Sequence, residues 1–168
     1  MNKRIINPNS NIYLNDGYLM LPLSLNIISK IKIGAETFFS KSGYHVSLLR
    51  LRELSESEQK NILNFTKEYS IKLKKITKVF RLVIEENRRS IIVRVHLTGL
   101  KKLISAVNKH FNYSFAYPPT HITLFVLKDM EGGIGINSVR EYKLLTHHIN
   151  QKDSQRLAKS FSLWSHMC

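Results

Sequence analysis

The stretches Tyr44-His45-Val46-Ser47-Leu48-Leu49 and Thr120-His121-Ile122-Thr123-Leu124-Phe125 decide how this chain folds. Each places a histidine two residues before a hydroxyl side chain and continues into apolar, β-prone sequence. Alternate residues of a strand point to the same face of a sheet, so each histidine shares a face with its hydroxyl partner. Two such strands side by side would place two imidazoles across one pocket, an arrangement suited to acid–base chemistry on a phosphoryl group.

A third segment, His96-Leu97-Thr98, has the same spacing in a different context. His45 and His121 each open an apolar run of strand character, whereas His96 closes one and is followed by Gly99. Because so short a spacing also arises by chance, context has to separate the three matches. We interpret His45 and His121 as a functional pair, and His96 as a structural or surface histidine.

The bulk composition indicates one basic globular domain. The chain has 168 residues, of which 43% are hydrophobic, enough for a sizeable core and too many for a disordered chain. Its formal net charge is +14 and its pI is about 10.0. Such a surface attracts polyanions such as nucleic acid, phosphorylated ligands or an anionic membrane face.

The single cysteine, Cys168, excludes an intrachain disulfide and a cysteine metal cluster. No apolar run is as long as a membrane span, and the apolar-rich segment 18–28 has no basic region directly before it, which argues against a signal peptide. We therefore predict a cytoplasmic protein that has no membrane contact and no cofactor, and we expect a monomer.

Periodicity and turn signals predict an α+β fold. The approximate predicted ranges are 56–70, 100–112 and 139–149 for helices, and 76–85 and 90–97 for two strands of a hairpin. With the motif strands, the order becomes histidine strand, helix, strands, helix, histidine strand, helix. This coarse symmetry suggests a bilobal fold, with two antiparallel sheets and outer helices around a central cleft that carries both histidine strands.

The rest of the chain divides into flanking segments around this core. We predict a loose arm and a first element of uncertain type over residues 1–39, the two-lobed domain over 40–150, and a basic tail over 151–168. The glycine-rich segment 132–136 lacks the spacing of a dinucleotide fingerprint. Two interpretations stay open for it: a flexible turn, or a close approach of the backbone to a phosphate or nucleotide.

On the two motifs and their separation, the chain resembles the two-histidine (2H) phosphoesterase superfamily. That family includes 2′-5′ RNA ligase-like proteins, cyclic phosphodiesterases and RNA 3′-end processing exonucleases. The resemblance covers roughly residues 40–150 and rests on His45-Val46-Ser47-Leu48 and His121-Ile122-Thr123-Leu124. The first strand that the family usually has is not identifiable in the N-terminal 40 residues.

The resemblance implies that His45 and His121 act as paired general base and general acid on a 2′,3′-cyclic phosphate, with the assignment of the two roles open. Ser47 and Thr123 would donate hydrogen bonds to the non-bridging phosphoryl oxygens. Family members often have a basic residue soon after a motif. Arg50 and Lys128 stand at such positions.

Two tyrosines lie beside the motifs, Tyr44 and Tyr117. Either they stack on a nucleobase, or they are core or rim aromatics. The sequence thus predicts a metal-independent hydrolase of cyclic phosphates at RNA ends or in small nucleotides. The alternative is a non-catalytic RNA-binding module of the same fold, which the positive charge alone would support. A histidine-ligated metalloenzyme is disfavoured because no H-E-x-x-H motif is present.

Overall fold

The computed structural model describes residues 5–6, 12–127 and 133–161, with residues 5, 6 and 161 contributing backbone only. The strands are β1 (Ile5–Ile6), β2 (Tyr13–Asn15), β3 (Tyr18–Leu23), β4 (Lys30–Ile33), β5 (Glu36–Ser40), β6 (Tyr44–Arg50), β7 (Lys72–Glu85), β8 (Arg88–Thr98), β9 (His121–Leu127) and β10 (Thr146–His148). The helices are α1 (Glu56–Phe65), α2 (Leu100–Phe111), α3 (Val139–Leu145) and α4 (Gln151–Phe161). The α+β class predicted from the sequence is confirmed.

The strands pair in one antiparallel sheet with the order β1-β2-β3-β6-β9-β8-β7-β10. Strand β5 pairs with the far end of β9, and β4 pairs with β5. The sequence predicted two sheets, whereas strand pairing is continuous through one sheet. Strands β6 and β9 are joined through one register pair, Val46 with Ile122.

The two faces of this sheet differ in character. Along the central strands, one face carries apolar residues that belong to the main core, among them Val46, Leu48, Ile91, Val93, Val95 and Ile122. Three helices add buried residues to that core, including Ile62 of α1, Leu103 of α2 and Leu157 of α4. The opposite face carries the intervening residues, which include both histidine–hydroxyl pairs.

The predicted helix starts have a clear local cause. At the start of α1, the Glu58 backbone N–H donates to the Ser55 hydroxyl at 3.4 Å, and the Ser55 backbone N–H donates to the Glu58 carboxylate at 2.8 Å. This reciprocal capping satisfies two otherwise free N–H groups of the first turn. At the start of α3, Ser138 accepts from the Glu141 N–H at 3.0 Å.

The N-terminal segment is more ordered than the sequence indicated. Most of residues 13–40 form the four strands β2 to β5, and Leu19 and Phe38 are fully buried. Strand β3 pairs along β6 from Tyr18–Arg50 to Leu23–Tyr44, so it is the neighbour of the first histidine strand. Strands β2 and β3 pair with each other, as do β4 and β5, whereas β3 and β5 also pair with the later strands β6 and β9. Each of the four strands has only three to six residues, too few for a clear period in the sequence. Residues 1–4 and 7–11 of the arm lie outside the described residues.

The segment predicted as a basic tail begins with a helix. Leu157 of α4 is fully buried in the main core, and the Arg156 guanidinium donates to the Lys32 carbonyl at 3.0 Å. Its amphipathic spacing was masked by its many charged residues. The apolar end of the tail, 162–168, lies outside the described residues.

The Val46–Ile122 pair gives a direct test of the fold. We expect Ile122→Ala to lower the free energy of unfolding by about 2–5 kcal/mol, because the side chain is fully buried and its loss leaves a cavity in the core. Chemical denaturation followed by circular dichroism measures it. Ile28→Ala is the control, since Ile28 is 44% exposed and should change stability by only about 0.5 kcal/mol or less. Equal losses in both variants would contradict the packing described.

Candidate active site

A cavity of about 360 Å³ lies on the polar face of the sheet where β6 and β9 meet. Its lining includes the four residues predicted to be catalytic: His45, Ser47, His121 and Thr123. The other lining residues are Asn15, Asp16, Tyr18, Met20, Lys41, Arg52, Arg88, Gly133, Ile134, Gly135, Ile136 and Asn137. The structure therefore brings the two motifs to one site.

The single register pair between β6 and β9 explains this convergence. Val46 and Ile122 are both fully buried and point into the main core, so the residues on either side of each point into the cavity. The strands run antiparallel, and the residue after one member of a pair therefore lies beside the residue before the other. Each histidine is thus adjacent to the hydroxyl residue of the opposite motif.

His121 has a defined hydrogen-bond arrangement. Its Nδ1 lies 2.8 Å from the Pro119 carbonyl oxygen, which can only accept, so Nδ1 carries the proton and donates. A neutral ring then has its lone pair on Nε2. Burial is the main cause that lowers the pKa of His121 below its ordinary value; the hydrogen bond to Pro119 opposes this effect and the positive charge of Arg94 adds to it. The ring is held neutral, with one nitrogen able to accept a proton.

Lys41 is a cation of the cavity that the motifs did not reveal. Its backbone N–H donates to the Leu124 carbonyl at 3.3 Å, which fixes it beside the residue that follows Thr123. Burial lowers the pKa of the Lys41 ammonium below its usual value. A partly desolvated ammonium in the lining of a cavity is a good partner for a phosphoryl oxygen.

Arg52 closes the cavity on the side of the β2–β3 turn. Its Nε donates to the Asp16 carbonyl at 3.0 Å, and its guanidinium is paired with the Asp16 carboxylate. The guanidinium carbon also lies 5.1 Å from the centre of the Tyr18 ring, a cation–π contact. Tyr18 is the aromatic side chain of the cavity, in place of the two tyrosines that flank the motifs.

The glycine-rich segment forms a wall of the cavity. A Cβ added to Gly133 would lie 2.7 Å from the Thr123 Oγ1, a distance that real Cβ atoms essentially never show. The Gly133 carbonyl accepts from Arg88 at 3.0 Å, and Ile134 and Ile136 are buried against Val83 and Ile92. The close approach of Gly133 is to the Thr123 side chain, and it does not decide between the flexible turn and the approach to a phosphate or nucleotide.

Tyr44 does not lie in the cavity. It is 9% exposed and belongs to the main core, on the face opposite to His45. Burial raises the pKa of the Tyr44 phenol, and a hydrogen bond with Ser40 partly offsets that shift. The strand alternation that pairs His45 with Ser47 also turns Tyr44 away, so its stacking role is wrong and the alternative core role applies.

The other predicted substrate-binding residues also lie elsewhere. Arg50 is exposed, forms an ion pair with Glu53 at 2.8 Å, and lines an adjoining groove rather than the histidine cavity. Tyr117 is 45% exposed and is absent from the cavity lining. His96 is exposed on β8 and is likewise absent from it. Lys128 lies outside the described residues.

Three other cations line the cavity: Lys41 directly follows β5, Arg52 stands in the turn after β6, and Arg88 is the first residue of β8. Arg52 reaches a partner 36 residues away and Arg88 one 45 residues away. No local spacing encodes such contacts. The sequence did contain one usable signal for Lys41. It stands four residues before His45, whereas Arg50 stands five residues after it, so both cations are similarly close to the first motif.

Comparisons with models of known families, with curated proteins and with solved structures returned no match. Within residues 12–127 and 133–160, no group of three or more His, Cys, Asp or Glu side chains is placed to hold a metal ion. No helix in the described part of the chain is long and apolar enough to cross a membrane.

The environment of His121 predicts its titration. We expect an NMR pH titration of its ring to have a midpoint below about 6.5, the ordinary value for histidine, because burial disfavours the charged form. Arg94→Met should raise that midpoint, since the Arg94 charge contributes to the lowering. A midpoint at or above the ordinary value in the unaltered protein would contradict this environment.

The contact between Gly133 and Thr123 predicts a local effect of one methyl group. Gly133→Ala should displace the wall or Thr123, and so shift the NMR resonances of Thr123 and His121. Gly43→Ala is the matched control, because a Cβ at Gly43 meets nothing within 4 Å. Unchanged Thr123 resonances in Gly133→Ala would show that the wall does not lie on this strand.

Proposed function

We propose that this chain is a metal-independent phosphodiesterase that opens 2′,3′-cyclic phosphates at RNA ends or in small nucleotides. One observation carries the proposal. A single register pair, Val46 with Ile122, directs two histidines and two hydroxyl residues into one cavity of about 360 Å³. Paired imidazoles supply a base and an acid near neutral pH, and this is what opening a cyclic phosphodiester needs.

In the proposed reaction His121 is the general base. Its Nε2 lone pair takes a proton from a water molecule as the water oxygen attacks phosphorus. The bond from phosphorus to one ribose oxygen breaks, and protonated His45 gives its proton to that leaving oxygen. The product is a phosphomonoester, and the two histidines end in exchanged protonation states until solvent restores them. The lowered pKa of His121 supports its assignment as the base.

Several side chains of the cavity can stabilise the negative charge that develops on the phosphoryl oxygens. Ser47 and Thr123 provide hydroxyl donors, and Lys41 adds a positive charge to the lining of the cavity. Donors fixed in position before the reaction stabilise the transition state without having to reorganise. Tyr18 offers a ring near the cavity for the base of the nucleotide, although Arg52 already lies over the ring.

We also propose that the sheet works as two lobes that meet at the cavity. Strands β1, β2, β3 and β6 would form one lobe, and β9, β8, β7 and β10 the other. The narrow connection between β6 and β9 supports this division, because β3 and β6 share six register pairs and β8 and β9 share five, whereas β6 and β9 share one.

The decisive experiment is hydrolysis of a cyclic-phosphate-ended oligonucleotide and of the cyclic mononucleotide in EDTA. We expect His45→Ala and His121→Ala each to lower kcat/KM by about 10²–10⁴-fold, the contribution of a general acid or base. The unaltered protein should show a bell-shaped pH profile. Its acidic limb should lie below about 6.5, because the base must be neutral and its pKa is lowered.

His147→Ala is the matched control, since His147 is exposed on β10 and absent from the cavity lining. It should retain the full rate. An equal loss of kcat/KM in His45→Ala, His121→Ala and His147→Ala would contradict the assignment of His45 and His121 as the catalytic pair. Absence of turnover on both substrates, together with tight salt-sensitive RNA binding, would instead identify a binding module.

A further inference from the structure

A row of cationic side chains begins beside His121 and continues along the same face of the sheet. Arg94 of β8 is the register partner of His121 on β9, and residues paired in register point to the same face. Along β8, residues 94, 96 and 98 alternate with the core residues Val93, Val95 and Leu97. The cavity face therefore continues past the catalytic strand toward the end of β8.

Arg94 shows a donor without an acceptor. Its guanidinium carbon lies 4.9 Å from the centre of the Tyr142 ring, which holds the side chain in place. Its Nε is buried and has no hydrogen-bond partner within the described residues. Arg94 also forms no ion pair in the described part of the chain, so its charge is available to attract an anion held beside His121.

Strand β7 extends the row. Lys75 is the register partner of residue 96, and Lys72 is the partner of residue 98, so both lysines lie on the same face as Arg94. An irregularity between Leu73 and Lys75 makes this possible, because the extra residue restores the alternation after it. From Arg94 to the end of β8 this face runs for about 13 Å, at the usual rise of a strand. We name Arg94, Lys75 and Lys72 the cationic strip.

Few carboxylates stand near the cationic strip in the sequence of β7, β8 and α2. Between residues 69 and 128 the only carboxylates are Glu85 and Glu86, which stand at the opposite end of the β7–β8 hairpin. The exposed Lys101 and Lys102 follow at the start of α2. In the described part of the chain, no ion pair involves a member of the strip.

We infer that the cationic strip binds the phosphate backbone of a single-stranded RNA whose cyclic-phosphate end occupies the histidine cavity. The inference rests on the proposed function and chooses between its two substrate classes, since a mononucleotide has no phosphates to reach the strip. Lysines on an edge strand also discourage unwanted strand pairing. Protection against strand pairing would not require Arg94, a cation with an unsatisfied donor, beside His121.

The first test is the salt dependence of RNA binding. The probe is a short single-stranded RNA that ends in a 3′-phosphate, and fluorescence anisotropy gives its Kd across a range of salt concentrations. Lys72→Gln/Lys75→Gln should reduce the slope of log affinity against log salt by about 1.4, since each phosphate contact to a single strand contributes about 0.7. Lys30→Gln/Lys32→Gln is the matched control. It removes two exposed lysines from β4, which pairs with β5 alone in the described sheet, and should leave the slope unchanged.

The second test is the ratio of kcat/KM for the cyclic-phosphate-ended RNA to kcat/KM for the cyclic mononucleotide. The ratio should fall in the Lys72/Lys75 variant and hold in the Lys30/Lys32 variant. If the Lys72/Lys75 and Lys30/Lys32 variants had the same salt slope and the same kcat/KM ratio, RNA binding by the cationic strip would be overturned. The proposed phosphodiesterase activity would not be affected by that result. Displacement of the RNA by an acidic peptide at equal charge concentration would also overturn it, in favour of a protein partner. Failure of the proposed function would appear separately, as absent turnover on both substrates.

Discussion

The site depends on one contact, the meeting of Val46 and Ile122 between β6 and β9. Both side chains are fully buried, so the hydrophobic effect that fixes this pair also fixes which residues face the cavity. A shift of either strand by one residue would direct its histidine into the core and its apolar neighbours into the cavity. The polar chemistry of the site is thus held in place by apolar packing on the other side of the same strands.

The cavity combines a strand face with a wall that begins at Gly133. The strand face supplies imidazoles and hydroxyls, whereas at Gly133 the backbone lies so close to Thr123 that an added Cβ would be 2.7 Å from its Oγ1. Buried isoleucines at 134 and 136 anchor that wall to a second, smaller core. Three cations also line the cavity, and Arg88 ties the wall to the β7–β8 hairpin through its bond to the Gly133 carbonyl.

The sequence predicted what depends on local pattern. Period-two alternation placed His45 and Ser47 on one face, the serine–glutamate pair predicted the start of α1, and helical spacing predicted α2. It failed where distant segments decide. Strand β5 pairs with β9 far along the chain, and Lys41 and Arg52 reach the cavity through long-range contacts. The proposed stacking role of Tyr44 was a different kind of error. Strand alternation places Tyr44 on the face opposite to His45, so the sequence already excluded it from the cavity.

The position of β9 in the chain has a consequence for how the molecule forms. The first histidine strand pairs with β3 and the β7–β8 hairpin pairs with itself, and both need segments that are close in sequence. Strand β9 closes the sheet between them across 76 residues, from Val46 to Ile122. Contacts of such long separation carry the largest entropy of loop closure and form late. During synthesis on the ribosome, most of the core can therefore assemble before a cavity exists, and the chain acquires its site in one of the last steps of folding.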